Sequence, residues 1–287
     1  MIQLTIAILC STLIFLIFRS YSKFNVVTFP AIIINYLVAM GLGVAMLDSD
    51  YHIADQIGKT WFNGGIAMGC LFIGLFYLMA YTAQTLGVAV SSVATKMSLV
   101  ISVAVFMIID PDDKVTALKM ISVVLAVIGV VLTAGKSQTQ KVKWYIYLFP
   151  LIIFVGSGAI DILIGIFSDY VETENDKYLF TSTPFITSAV IGIVVSLIQW
   201  ATGKFRFNWQ TLVGGIALGL ANFGSIYFLV QTFDSGFIAR SSIVSINNLG
   251  IIVLSALSSW LIFKEEIKGR KLWGVIVAVL AIVILLV

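Results

Sequence analysis

GGIAMGCLFIGLFYLMAYTAQ at 64–84 and GGIALGLANFGSIYFLVQTFD at 214–234 are two copies of one segment. Eight of the 21 aligned positions are identical, namely Gly64, Gly65, Ile66, Ala67, Gly69, Gly74, Tyr77 and Thr82 with their partners. Each copy is apolar over about the 20 residues that a helix needs to cross the hydrocarbon of a bilayer. Backbone polar groups in lipid must be satisfied within the segment, so each copy reads as a helix. Working outward, a slip of one residue sets Gly87 over Gly236 and the next apolar run over its counterpart. The DPDDK break at 110–114 then faces the FKEE break at 263–266, and Pro30 faces Pro184.

Apolar runs between polar breaks number ten, at 2–18, 26–47, 63–83, 87–109, 115–134, 144–168, 179–201, 209–231, 236–263 and 271–287. The chain therefore reads as an all-α integral membrane protein, with ten transmembrane helices in two five-helix repeats at 1–135 and 144–287. Five is odd, so the second repeat enters the membrane inverted relative to the first. Inverted repeats about an in-plane pseudo-two-fold are a recurrent architecture of secondary transporters.

Composition agrees. Of 287 residues, 60% are hydrophobic and 11% charged, and the mean hydropathy is +1.07. Soluble domains carry about 25% charge. A soluble enzyme, a disordered scaffold and a nucleic-acid binder are excluded on that ground. Cys10 and Cys70 fall in apolar runs and His52 in a polar loop, so neither a metal site nor a cofactor is expected. Met1 to Thr5 carries no cation and no small-residue cleavage site follows, so the first helix is expected to be retained. Loops after runs one, five, seven and nine hold eleven cations; the opposite loops hold four, with eleven of the fourteen acids. The positive-inside rule then places both termini outside the cytoplasm of a bacterial cell, with the chain multi-pass in its cytoplasmic membrane.

WLIFKEEIKGRKLWGVIVAVLAIVILLV at 260–287 has a glutamate after the ninth run and a glycine four residues into the tenth. MIIDPDDKVTALKMISVVLAVIGVVLTAG at 107–135 keeps that layout, with aspartates in the break. With its two five-helix halves, the whole chain resembles the EamA-type drug/metabolite transporter superfamily. The resemblance implies a secondary carrier with a central cavity lined by helices 1, 3, 4, 6, 8 and 9. Family substrates include amino acids, sugars, nucleotide sugars, phosphorylated metabolites and drugs. The orientation read from the charges is opposite to the N-in, C-in arrangement of most ten-span members.

Ionisable groups at membrane depth are costly and mark sites by default. Lys96 lies ten residues into the fourth run, about 14 Å from its start at 1.5 Å per residue. Asp161, in the sixth run, is its natural partner, either in a lockable pair or alone as a proton site. Ser92 shares a face with Lys96 at i, i+4 spacing. Ser241, Ser245 and Asn248 form a face of the ninth run, with Asn247 at the same depth. Tyr77 with Tyr81, and Tyr227 with Gln231, are i, i+4 pairs in the third and eighth runs; Asn222 and Asn35 are further amides. Gly65-x3-Gly69 and Gly215-x3-Gly219 read as packing devices. Arg240 reads as a residue reaching the interface and DPDDK as a solvated break. No phosphate-binding loop, nucleophile elbow or cofactor fingerprint occurs.

The function expected is secondary transport of a small polar metabolite by alternating access, with a tilt toward an anionic or amino-acid-like solute. Its partners are the bilayer, that solute and a coupling proton or exchanged solute, acting as monomer or homodimer. The rival readings are a membrane enzyme or lipid-handling protein acting on a lipid-phosphate carrier, and a passive channel.

Overall fold

The structure is a computed structural model describing residues 2–109, 117–134, 143–234 and 240–286. The described residues form eleven α-helices and no strand: α1 (Ile2–Tyr21), α2 (Thr28–Val44), α3 (Thr60–Thr85), α4 (Val88–Lys96), α5 (Leu99–Ile109), α6 (Ala117–Thr133), α7 (Phe149–Ser168), α8 (Glu174–Ala201), α9 (Trp209–Asp234), α10 (Arg240–Phe263) and α11 (Arg270–Leu286). Among the described residues, seven helical segments are long and apolar enough to cross a membrane, α4 and α5 counting together as Val88–Val105. The chain is thus an all-helical, multi-pass membrane protein. Helices α2, α6 and α11 are shorter, at 17 residues each. DPDDK at 110–114 lies outside the described residues.

Local chemistry accounts for the departures from the apolar runs. Helix α8 starts five residues before the run at 179–201 because Thr173 and Asp176 form a capping box, each side chain accepting from the other's backbone N–H. Pro150 stands in the first turn of α7, where its missing N–H costs no ladder bond, and a 3-10 turn at Trp144–Leu148 leads into it. The run at 87–109 is two helices, broken at Met97 and Ser98.

Contacts divide the chain into two compact units, each drawing on both sequence halves. The first comprises Met1–Ser20, Leu78–Ile162 and Gly224–Val287. Its most extensive helix pair is α6 with α11. The crossing is backbone on backbone. A Cβ on Gly274 would lie 2.6 Å from the Thr133 nitrogen, and one on Gly129 would lie 3.1 Å from the Ala278 nitrogen. Helix α4 packs on α10, where the Ser255 hydroxyl donates to Ser92 Oγ at 2.6 Å.

The second unit comprises Tyr21–Tyr77 and Leu163–Phe223. Helix α2 packs on α8 around Tyr36, whose ring stacks on Phe185 at 6.2 Å. Both Gly-x3-Gly stripes seat a neighbouring helix here. A Cβ on Gly65 or Gly69 would lie 2.7 Å or 2.5 Å from Thr183 or Thr187 Cβ on α8. One on Gly215 or Gly219 would lie 2.6 Å from Ile34 or Val38 Cβ on α2. Small residues let helix backbones approach closely, so dispersion contacts replace the hydrophobic drive that lipid cannot supply. At one end of this unit Tyr51 donates to Asp176, and burial together with that carboxylate holds the Tyr51 phenol above its ordinary pKa.

Candidate functional site

The break in the fourth apolar run is made by hydroxyls. Thr95 Oγ1 donates to the Ser91 carbonyl at 2.9 Å, and Ser98 Oγ lies 2.6 Å from the Thr95 carbonyl. Such side chains compete with the backbone ladder. Beyond them the ladder tightens to i→i−3, with Val100 N–H on Met97 C=O at 3.1 Å and Ile101 N–H on Ser98 C=O at 2.8 Å. Lys96 is the last residue of α4, at a helix C-terminus, where the dipole favours a cation.

Asp161 reaches the same break from α7. Its Oδ2 lies 2.9 Å from Ser98 Oγ, at the start of α5, where the dipole favours an anion. Gly158, one turn earlier, makes the approach feasible, since a Cβ there would lie 2.8 Å from Ile101 Cβ. Lys96 and Asp161 interact electrostatically. Among the described residues they do not close into an ion pair, and the Lys96 ammonium has no hydrogen-bond partner. The break thus brings together a lysine and an aspartate, each at the helix end that suits its charge.

The far end of α4 is held equally tightly. Gly87 precedes it at φ +114°, a conformation open to glycine. The Val88 N–H donates to both Glu265 carboxylate oxygens, at 3.3 and 3.2 Å. Arg19 pairs with that carboxylate at 3.0 Å and donates to the carbonyls of Ala83 and Gln84, while Lys271 donates to the Leu86 carbonyl at 2.8 Å. Read from sequence, Arg19 and Lys271 are orientation charges of loops and helix edges. In the fold, Arg19 and Glu265 are 22% and 11% exposed and clamp the start of α4. The signal open to sequence reading was the glutamate of the 260–287 motif, which had no partner assigned.

The remaining expected site residues divide. Ser92 is fully buried and engaged with Ser255. Ser245, Asn247 and Asn248 are buried on α10, and the Asn247 amide oxygen has no partner among the described residues. Tyr81 packs edge-on to Phe149 at 5.7 Å, beside Leu86, Val90 and Ile146. Tyr227 and Gln231 are half-buried on α9. Tyr77 and Asn222 belong to the second unit. There Tyr77 is edge-on to Phe29 at 6.3 Å, and Asn222 donates its amide to Asn35 at 3.1 Å. The side chains of Ser241 and Arg240 lie outside the described ones.

No family model matches the chain. An uncharacterized protein of Haemophilus influenzae is 28% identical over 289 residues, covering 98% of this chain and 96% of its own length. The similarity therefore spans both sequence halves.

Proposed function

We propose that this protein is a secondary carrier of the drug/metabolite type, moving a small organic solute that bears a carboxylate or phosphate, amino acids included. The observation that carries the reading is the broken helix with Lys96 on one end and the Asp161 carboxylate on the other. Discontinuous helices at membrane depth are the usual sites of solute and ion recognition in such carriers. An anionic group entering beside Lys96 competes with Asp161 for the ammonium. Asp161 then takes a proton or leans on Ser98, and the two charge arrangements bias two conformations.

Two further features support the architecture this requires, ten crossings in two inverted repeats. Helices of 17 residues sit at the lower edge of spanning length, so α2, α6 and α11 add three crossings to the seven longer segments. The pairs α6 with α11, α2 with α8, and α4 with α10 each join a run to the run five places on, a pattern compatible with a pseudo-two-fold. Exchange of two such halves between equivalent arrangements is the basis of alternating access.

The test is a thermal-shift screen of the purified protein against anionic and zwitterionic metabolites, followed by counterflow in proteoliposomes with the stabilising compound. The expected result is saturable counterflow, with Lys96→Met losing at least tenfold in apparent affinity. Flux that rises linearly with solute marks a channel. Chemical conversion of the solute marks an enzyme. Unchanged transport by Lys96→Met removes the break as the site.

A further inference from the structure

The second unit contains a cavity of about 470 Å³, within the size range of ligand pockets. It lies between α2 and the end of α8, bounded by Phe205 and Phe207, and its lining is apolar apart from one hydroxyl. Chemistry is ordered along it. At the rim stand Trp200, Phe205 and Phe207, with Trp209 close by in sequence; Trp200 and Trp209 are 72% and 69% exposed, as residues of a membrane interface are. Lys204 and Arg206 are the sequence neighbours of the two lining phenylalanines, so two cations stand one residue away from the rim. One turn below Trp200 is Ser196, about 7 Å from the end of α8 at 1.5 Å per residue. Its hydroxyl is buried and has no hydrogen-bond partner among the described residues. Deeper still are Ile193, Ile33 and Ile34.

Cation, hydroxyl donor, hydrocarbon wall: this is the order of phosphate, glycerol ester and acyl chain along a phospholipid. The geometry points to a binding groove for one acyl chain of an anionic phospholipid. Its phosphate is met by Lys204 and Arg206, and its ester carbonyl accepts from Ser196. The charges match the headgroup, and cationic residues at the membrane surface attract anionic lipid. The unpaired hydroxyl is a separate observation, because a buried donor without a partner is costly and an ester carbonyl satisfies it. The groove is built from the second unit alone and is independent of Lys96 and Asp161.

The experiment is native mass spectrometry of the full chain in detergent, titrated with phosphatidylglycerol or phosphatidylcholine. One lipid bound with at least tenfold preference for phosphatidylglycerol is expected. Lys204→Ser with Arg206→Ser should abolish the preference while retaining binding, and Ile193→Trp, which fills the groove, should abolish both. Wild-type protein is also photolabelled with phosphatidylglycerol carrying a diazirine in its acyl chain, so that the outcome does not hang on the folding of a variant. Labels concentrated on 193–207 and 30–34 are the supporting result. Equal binding of the two lipids, or labels spread evenly over all apolar helices, overturns the proposal.

Discussion

At the scale of residues, the chain spends its few membrane-depth charges in one place. A lysine or aspartate in hydrocarbon costs a few kcal/mol even by the mildest scales. Lys96 and Asp161 reduce that cost by lying on opposite helix ends of one break, with Ser98 beside the carboxylate. The arrangement predicts thermodynamic coupling. Lys96→Met leaves the Asp161 charge without its neighbour, and Asp161→Asn does the reverse. Each should destabilise by about 1–3 kcal/mol. The double variant should recover part of the loss, a coupling of about 0.5–3 kcal/mol. Thermal or denaturant unfolding of the four proteins in one detergent measures it, and strictly additive losses would show that the two charges act separately. At the other end of α4, Gly87 admits the Glu265 carboxylate and takes a backbone conformation that side chains avoid. A nine-residue helix is thus fixed at both ends by groups distant in sequence.

At the scale of elements, glycines decide which helices touch. Gly129 and Gly274 bring α6 and α11 together, whereas a Cβ on Gly41 in α2 would meet nothing within 4 Å. The two kinds of glycine should respond oppositely. Gly129→Leu forces two backbones apart and should cost about 1–3 kcal/mol or more through overpacking. Gly41→Ala removes a flexible residue from a helix without a clash and should stabilise by up to about 1 kcal/mol. Melting temperatures of the pair read both signs, and a stabilised Gly129→Leu would contradict the crossing. The contacts of Gly65, Gly69, Gly215 and Gly219 were visible as Gly-x3-Gly spacing, because small residues one turn apart make one smooth stripe whatever they face. Gly158 carried no such spacing. Only its position opposite Ile101 reveals what it does.

At the scale of the whole molecule, the proposed ten crossings and the cation count together make a topological prediction. An even number of crossings puts both termini on one side, and the charge asymmetry puts that side outside the cytoplasm. A C-terminal alkaline phosphatase fusion should be active in a bacterial host and a green fluorescent protein fusion dark. The reverse pattern would show that Arg19, Lys204 and Lys271 sit where they do for packing or lipid contact rather than for orientation. Membrane residence, helical class and the approximate bounds of most helices were readable from the chain itself. They follow from composition and from the length of uncharged runs, which are properties of contiguous residues. The expected candidates Lys96 and Asp161 were readable as well, since a charge in an apolar run stands out unaided. Three things required the folded chain: the break at Met97 and Ser98, the meeting of Ser98 with Asp161 across 63 positions, and the clamp of Arg19 on Glu265. Each depends on a partner from a distant helix, and hydropathy carries no record of which distant residue a side chain will meet. Packing between helices makes that choice, by letting close only those surfaces whose small residues, hydroxyls and charges fit.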